Sequence, residues 1–463
     1  WEDMKRHAVI TGGTGSGKSE LLKKIVDSLM KKTEDFSLFL VDPHNDFSSE
    51  ILSLIPEKKR GKIVYFNPGK QREKPLGIPF FDIQEQDESV RIQDALDVFR
   101  QMVLIDGLYA WGPELENIMR NLFRTSLYLP QQSLSGIDLL LSDEQQIRNT
   151  LKYLPPKLQK FWEQSILAKN SNELARYLST TNNKLGKFLD YAEFTDVVDR
   201  QDQKISFDSM IQNGNIFIAN LGNTRSDIVK SYFSVFLANK IGKAVERQVF
   251  VPPEERKPVI FMVDEFQKID QSDLFSRGLS EYRKFNCSII LANQYSGQLR
   301  EATRKSIQAN TATKVFLRTQ NPEDIDFALK VLGEKVEARD IQNLDTGVGY
   351  YKTNIRNVPQ DVMTLRVSRA LVDRTIVKDL DEKETKRTQD IYGKDLDLTE
   401  QERKKIHETY YTSQGGGLFH ETMKRKKRKD SPENHKPLIQ DAFEMVGIAE
   451  TKPRTAKRSL KNR

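Results

Sequence analysis

Apolar residues in the first part of the chain form short runs separated by a stretch with helical spacing. Residues 7–11, 37–41 and 62–66 are β-prone runs, and the last two are closed by Asp, Asn, Pro or Gly. Between the first two runs, apolar residues from Leu21 to Leu29 recur every three or four positions, which predicts an amphipathic helix. Strand, helix and strand with turn residues at the strand ends predict a parallel α/β sheet.

A helical pattern replaces this alternation from about residue 89 to residue 200. The predicted helices of this region cover residues 90–104, 113–128, 143–151, 158–165 and 171–189. Strand-like runs then return at residues 215–219, 259–263, 288–292 and 313–317. The pattern therefore predicts one α/β core, formed by residues 1–88 and 201–375 and interrupted by an all-helical insertion domain at 89–200.

Charged residues dominate the end of the chain, and we expect residues 376–463 to form a charged, partly disordered C-terminal tail. Residues 424–429 are six consecutive lysines and arginines. Such a run is typical of a solvated segment, and it is equally suited to contacts with DNA phosphates or anionic lipid. Apolar residues at helical spacing between 437 and 450 predict one short helix within the tail.

The basic excess of the protein is confined to that tail. The 463-residue chain has a formal net charge of +7, and residues 424–463 contain 13 lysines and arginines against five acidic residues. The rest contains 60 basic and 61 acidic residues, so the composition predicts no broad basic DNA-binding face on the body of the protein. A single cysteine, Cys287, excludes a disulfide scaffold and a cysteine-built zinc site. No apolar run of this sequence approaches the roughly 18 residues that a membrane-spanning helix needs.

A glycine-rich loop lies between the first predicted strand and the amphipathic helix. Its residues are Gly12, Gly13, Thr14, Gly15, Ser16, Gly17, Lys18 and Ser19, followed by Glu20. This pattern fits the phosphate-binding loop (P-loop) of nucleotide-hydrolysing proteins, in which backbone N–H groups and a helix N-terminus face the phosphates. We expect Lys18 to reach the β- and γ-phosphates and the Ser19 hydroxyl to bind Mg²⁺. The guanine-reading motif Asn-Lys-x-Asp does not occur, which favours ATP as the nucleotide.

Polar residues end two consecutive strands of the second half of the core. Asp264 and Glu265 follow one apolar run, and Gln294 follows the next. In a P-loop protein the first carboxylate holds Mg²⁺ together with Ser19, and the second polarises the attacking water. A polar side chain such as Gln294 senses the γ-phosphate or orients water. The sequence thus predicts ATP and Mg²⁺ as cofactors, with Lys18, Glu265 and Gln294 in catalytic roles.

Further motifs accompany the P-loop and the acidic strand end. They occupy residues 41–46, 111–116, 263–267, 279–284 and 291–295, and the pattern continues from 310 to 318. Together they resemble the HerA/FtsK superfamily of ring-forming DNA translocases, and within it the TraG/TraD-type coupling ATPases of conjugative type IV secretion. The resemblance covers roughly residues 6–335. It implies a RecA-like P-loop NTPase core with a parallel-rich sheet and a helical insertion that selects cargo.

The resemblance also implies partners and a location. The active unit would be a homohexamer with ATP between subunits, where an arginine from one subunit stabilises phosphate charge in its neighbour. Arg283 and Arg318 are the candidates for this catalytic role because both lie in family-like motifs. DNA is the implied partner, with relaxase or secretion-channel proteins beside it. We expect a cytoplasmic location, where a segment upstream of Trp1 or the basic tail would allow contact with the cytoplasmic face of a membrane.

The preferred function is an ATP-driven DNA translocase that moves relaxase-bound DNA during conjugation, with Arg300, Arg304 and Lys305 as the residues expected to grip DNA. Two alternatives stay open. A HerA-like motor in DNA processing or phage defence, acting with a nuclease, would have the same ATPase residues, and the sequence before the P-loop would distinguish it. A nucleotide-gated adaptor with little turnover belongs to another class, and DNA-stimulated ATP hydrolysis separates it from a motor.

Overall fold

The computed structural model describes residues 6–410, apart from residues 34, 83, 84, 86, 106–110, 142, 143, 201, 203, 269, 271, 272 and 357. Its strands are β1 (Ala8–Thr11), β2 (Ser37–Asp42), β3 (Ile63–Phe66), β4 (Ile216–Asn220), β5 (Val259–Val263), β6 (Cys287–Asn293), β7 (Thr313–Leu317), β8 (Val348–Lys352), β9 (Asn354–Ile355), β10 (Val358–Pro359) and β11 (Met363–Arg366). Its helices are α1 (Lys18–Met30), α2 (Asn45–Leu54), α3 (Glu57–Arg60), α4 (Glu88–Ile105), α5 (Pro113–Ser126), α6 (Leu134–Leu141), α7 (Glu144–Leu151), α8 (Pro156–Phe161), α9 (Ser171–Leu189), α10 (Ala192–Val198), α11 (Phe207–Asn213), α12 (Asp227–Arg247), α13 (Asp273–Glu281), α14 (Glu301–Asn310), α15 (Pro322–Leu332), α16 (Ala338–Gln342), α17 (Arg374–Tyr392) and α18 (Leu396–Tyr410).

One nine-stranded sheet organises the described part of the chain, in the order β11-β8-β7-β1-β6-β5-β2-β4-β3. The strands from β7 to β3 all run parallel. This parallel sheet confirms the predicted α/β, RecA-like fold, and all seven predicted strands are present. On the other side of β7, strand β8 is antiparallel to β7, and β11 is antiparallel to β8, so β11 points the same way as the parallel strands.

Helices cover both faces of the sheet, which explains why β2, β4 and β5 are buried along their whole length. One face packs against α1, α2 and α17 through residues such as Ile10 and Leu40. The other face packs against α12, α13 and α14 through residues such as Val9 and Phe39. Successive residues of a strand point to opposite faces, so each strand contributes to both cores.

The helical insertion shares the second of these cores. The five helices predicted between residues 90 and 189 are present, the fourth continuing as a π-helical turn at Trp162–Ile166, whereas α6 and α10 were not predicted. Phe99 of α4 packs 5.5 Å from the ring of Phe123 in α5 and 5.2 Å from that of Phe188 in α9. Phe188 in turn lies 4.8 Å from Tyr232 of α12. The insertion is therefore joined to the sheet by a continuous aromatic cluster.

The predicted start of the tail, residue 376, falls inside α17, which packs on α2 and β3. The buried side of α17 is largely polar. The sequence therefore shows no apolar helical pattern that would have predicted a packed helix here. Thr388 accepts a hydrogen bond from the backbone N–H of Tyr65 at 3.2 Å, and Asp381 pairs with both Lys70 and the Tyr65 hydroxyl. The basic run and the short helix predicted for the tail lie outside the described residues. None of the described helices combines the length and apolar composition needed to cross a bilayer.

Candidate nucleotide site

The glycine-rich loop leaves the carboxyl end of β1 and enters α1 in the geometry of a phosphate cradle. Gly15 and Gly17 have φ angles of 71° and 104°, a left-handed conformation that favours glycine. A side chain at Gly12 would place its Cβ 2.6 Å from Ser16 Oγ and 2.8 Å from Leu317 Cβ. The tight curl of the backbone at the start of α1 therefore depends on glycine at these positions.

Neighbouring strands hold this loop in place. The backbone N–H of Gly12 donates to the carbonyl of Asn293 at the end of β6, at 3.4 Å. The N–H of Gly13 donates to the carbonyl of Arg318 just after β7, at 2.8 Å. Because β1 lies between β6 and β7, the P-loop is fixed from both sides at the carboxyl edge of the sheet.

Lys18 occupies the mouth of the loop. Its Nζ donates to the carbonyls of Gly12 and Gly13, at 2.8 and 3.3 Å, and lies 4.0 Å from Glu265 Oε1. Burial lowers the pKa of Lys18, whereas the charges of Glu265 and Asp264 oppose this shift. The P-loop thus places one buried cation opposite two carboxylates, as phosphate binding and metal-assisted hydrolysis require.

Asp264 and Glu265 follow β5, two strands away from β1. The Ser19 hydroxyl donates to Asp264 Oδ2 at 3.5 Å, although 245 positions separate the two residues. Burial, followed by the charge of Glu265, raises the pKa of Asp264 to about 6, which marks a carboxylate that lacks a full countercharge. Glu265 itself has a φ of 49°, an unusual conformation for a residue with a side chain, of the kind that collects at functional sites.

These oxygen atoms suit Mg²⁺. A hydroxyl and a buried carboxylate are hard ligands, and Mg²⁺ normally adds substrate phosphates and water to one or two protein ligands. Within the described residues, no group of three or more His, Cys, Asp or Glu side chains forms a self-sufficient metal site. Ser19 and Asp264 therefore fit a metal that is held jointly with a nucleotide.

A third carboxylate, Asp42, lies beside this pair at the end of β2, and no role was predicted for it. It accepts the backbone N–H groups of His44 and Ser48, at 2.7 and 2.8 Å, and so fixes the turn into α2. Burial, and then the charge of Asp264, raise the pKa of Asp42 to about 7. The motif at residues 41–46 could have indicated this role, because an Asp between a strand and a helix commonly accepts hydrogen bonds from the first turn of the helix.

Gln294 directly follows β6, the strand between β1 and β5, so it lies at the carboxyl edge beside the ends of both strands. The preceding residue, Asn293, was not given a role. Its Oδ1 accepts a hydrogen bond from Thr11 at 3.2 Å, and its Nδ2 is buried without a partner. The roles predicted for Gln294 in sensing phosphate or orienting water stay predictions.

The two candidate arginines lie at opposite edges of the sheet. Arg318 follows β7 and adjoins the P-loop of its own subunit through its carbonyl. Arg283 lies in a 3₁₀ turn before β6, at the amino edge. There its charge, after burial, helps to lower the pKa of His7 to about 4. Arg283 is therefore remote from the nucleotide site of the same chain, and a role in the site of a neighbouring chain stays a prediction for both arginines.

The three residues expected to grip DNA all face carboxylates. Arg300 lies 3.6 Å from Asp270 and Arg304 lies 3.4 Å from Glu323. Lys305 pairs with Glu301 one turn earlier on α14, at 2.6 Å. Contact with DNA phosphates would have to compete with these ion pairs.

The sheet, the P-loop and the acidic strand end define a P-loop nucleotide-binding domain of the RecA-like class. The family model described as "Type IV secretion-system coupling protein DNA-binding domain" matches residues 1–382. The chain belongs to this family, which confirms the predicted likeness to TraG/TraD-type coupling proteins.

Solved structures show the same fold. The bacterial conjugative coupling protein TrwBdeltaN70, in its unbound monoclinic form, is 18% identical with a TM-score of 0.56, over 80% of this chain and 87% of that one. TrwB in complex with ADP and Mg²⁺ is likewise 18% identical, with a TM-score of 0.56 and the same coverage of 80% and 87%. An uncharacterized protein of Aquifex aeolicus is 32% identical over 56 residues, which are 12% of this chain and 21% of that protein.

Proposed function

We propose that this protein is the ATP-driven motor domain of a type IV secretion coupling protein, which forms a ring and moves DNA during conjugation. The observation that carries the proposal is the convergence of Lys18 on Glu265 and of Ser19 on Asp264, at 4.0 and 3.5 Å, in a chain of this family. The structures of TrwB with ADP and Mg²⁺, and with a non-hydrolysable ATP analogue, support ATP and Mg²⁺ as the cofactors.

Each residue of the site has a distinct task in hydrolysis. Lys18 leaves the loop carbonyls to neutralise the β- and γ-phosphates, and the loop N–H groups bind the remaining oxygens. Ser19 and Asp264 would hold Mg²⁺, and the ion would supply positive charge to the phosphates. Glu265 accepts a hydrogen bond from the attacking water and orients it toward the γ-phosphate. Gln294 contacts the same region from β6.

Assembly and DNA binding complete the proposal. An arginine supplied by the neighbouring subunit, Arg283 or Arg318, stabilises the transferring phosphate. With 60 basic and 61 acidic residues outside residues 424–463, the body of the protein suits a ring that contacts DNA at a few positions in its pore. The family description supports DNA as the partner. The helical insertion selects the cargo, a relaxase bound to DNA.

ATP hydrolysis with and without DNA tests this function. The assay uses the assembled wild-type protein, Glu265→Gln, and Glu254→Gln, an exposed glutamate in the loop before β5, as the matched control. We expect DNA to stimulate hydrolysis in the wild type and the control. Glu265→Gln should retain ATP binding and hydrolyse it on the order of 10²- to 10⁴-fold more slowly. If neither single- nor double-stranded DNA changes the rate in an assembled ring, the motor function is wrong.

A further inference from the structure

The sheet order defines two sides of the P-loop. Strands β6 and β5 lie on one side of β1, whereas β7, β8 and β11 lie on the other. Asp264 and Glu265 follow β5, so the γ-phosphate and its metal belong on the β5 side. In a nucleotide the chain runs from the γ-phosphate through the β- and α-phosphates to the nucleoside. A nucleotide with its γ-phosphate on the β5 side would therefore extend its nucleoside toward the β8 and β11 side.

The turn just before β8 packs directly against the P-loop on that side. The N–H of Gly347 donates to the carbonyl of Ser16 at 2.9 Å, and the Thr346 hydroxyl donates to the carbonyl of Gly15 at 3.3 Å. A side chain at Gly17 would place its Cβ 2.9 Å from Gly347 Cα. The loop and this turn are in direct contact at Gly17 and Gly347, so a nucleoside would pass outside that contact.

The segment that follows β11 lies at that exit. We call residues 367–373 the nucleoside strap. The N–H of Val367 donates to the carbonyl of Gly347 at 2.7 Å, and the N–H of Ala370 donates to Glu20 Oε2 at 3.2 Å. At the far end Asp373 caps α17 by accepting the N–H of Thr375 at 3.0 Å. The strap is thus fixed across the first turn of α1, where Glu20 follows the metal-binding Ser19.

Leu371 is the unexpected residue of this strap. It lies between two fixed positions, Ala370 and Asp373, yet its side chain is 89% exposed, the most exposed large hydrophobic among the described residues. An anchored backbone that presents one apolar side chain to solvent is suited to a flat apolar partner. The faces of purine bases have this character, and aliphatic side chains commonly line nucleotide pockets.

We propose that the nucleoside strap is the wall of the base subsite and that Leu371 contacts the face of the purine. This inference rests on the proposed function, because it requires that ATP bind to the P-loop. The leucine side chain would pack on the flat face of the base. Because a purine offers a larger face than a pyrimidine, the subsite favours purines. The strap then supplies affinity for the nucleoside alone, whereas the P-loop supplies affinity for the phosphates.

A tryptophan at this position reports contact with the base. Leu371→Trp is compared with the wild type, whose three native tryptophans provide the background signal. ATP with Mg²⁺ should change the emission of the introduced indole by stacking on it, and inorganic triphosphate with Mg²⁺ should not. If the emission does not change when ATP is bound, the inference is wrong.

Loss of the side chain gives the complementary measurement. Leu371→Ser should weaken ATP binding about five-fold and leave the binding of inorganic triphosphate unchanged. Leu398→Ser, at a 52% exposed leucine of α18, is the matched control and should bind both as the wild type does. Equal weakening of ATP and triphosphate would mean that Leu371 only supports the fold, and the inference would be wrong. A wild type that binds neither ligand would instead defeat the proposed function, and the inference with it.

Discussion

Ser19 Oγ lies 3.5 Å from Asp264 Oδ2, which joins the first turn of α1 to the end of β5. The first residue comes from the P-loop and the second from a strand that is separated from β1 by β6. The contact therefore depends on the sheet order, and it places a hydroxyl oxygen and a carboxylate oxygen at one point of the carboxyl edge.

Removing the Asp264 carboxylate should separate nucleotide binding from hydrolysis. In Asp264→Asn the amide no longer balances the charge of Mg²⁺, and we expect hydrolysis to fall on the order of 100-fold while nucleotide binding persists. The measurement is a Mg²⁺ titration of ATP hydrolysis. Asp326→Asn, at an exposed aspartate of α15, is the control and should behave as the wild type. An unchanged Mg²⁺ requirement in Asp264→Asn would place the metal elsewhere.

The buried carboxylates predict the pH dependence of stability without nucleotide. The pKa of Asp42 is raised to about 7 and that of Asp264 to about 6, whereas both ionise near pH 4 in the unfolded chain. The folded state therefore binds more protons between pH 4 and 7. The stability that protonation confers is complete below pH 4 and is lost as the pH rises through 6 and 7, by up to about 1.4 kcal/mol per pH unit for each group.

Denaturant unfolding at pH 5 and pH 8 measures this effect. The free energy of unfolding should be higher at pH 5 than at pH 8. This difference should be larger in the wild type than in Asp42→Asn, because the variant lacks one of the two titrating carboxyls. Asp361→Asn, at an exposed aspartate, serves as the control for a change of charge. If Asp42→Asn keeps the full pH dependence of the wild type, Asp42 does not titrate in this range.

The aromatic cluster predicts that the helical insertion and the sheet unfold together. Phe123 of α5 lies 5.9 Å from the ring of Phe80 and 5.2 Å from that of Phe81, so it packs against the segment that leads from the sheet into the insertion. Phe123→Ala should lower the free energy of unfolding by about 3–5 kcal/mol, whereas Phe250→Ala, at an 85% exposed ring, should change it by less than about 0.5 kcal/mol.

Two probes follow this unfolding. Circular dichroism reports all helices, and in a background with Trp1→Phe and Trp111→Phe the fluorescence of the buried Trp162 reports the insertion. Coincident transitions are expected in the wild type and in Phe123→Ala. A separate, earlier loss of the Trp162 signal would show that the insertion is an independent domain.

Helix α17 should contribute to stability through polar contacts. In Asp381→Ala the buried Tyr65 hydroxyl loses its carboxylate acceptor and Lys70 loses its ion-pair partner. We expect a loss of about 1–3 kcal/mol in the free energy of unfolding, measured by denaturant titration. Asp379→Ala, exposed on the same helix, is the matched control and should be close to neutral. Equal stability of the two variants would mean that α17 rests on the core without stabilising it.

The parallel strands and the P-loop were predictable because their chemistry is local. A strand covered on both faces is a continuous apolar run, as β2 and β5 are, and the P-loop and acidic pair are contiguous motifs. Strand β11 alternates between half-buried and exposed residues and lies at the sheet edge, so its sequence contains no comparable run. Helix α17 was hidden for a related reason, since threonine and charged residues form much of its buried side.

The contacts of residues 346 and 370 with the P-loop region were beyond sequence reasoning. Thr346 donates to the carbonyl of Gly15 across 331 positions, and Ala370 donates to Glu20 across 350; each contact has a backbone group on one side, which leaves no residue pattern. The position of Arg283, in contrast, follows from the sequence once the sheet is parallel, because Arg283 precedes the strand predicted at 288–292 and so lies at the amino edge.

Displacement of a roadblock from DNA tests the central claim most directly. Streptavidin is bound to biotin at one end of single- or double-stranded DNA, and its release is measured with the assembled protein and ATP. The wild type should displace streptavidin from at least one kind of DNA when ATP is hydrolysed. It should fail with a non-hydrolysable analogue, as should Glu265→Gln with ATP. Hydrolysis of ATP on both DNAs without any displacement of streptavidin would contradict a DNA-translocating motor.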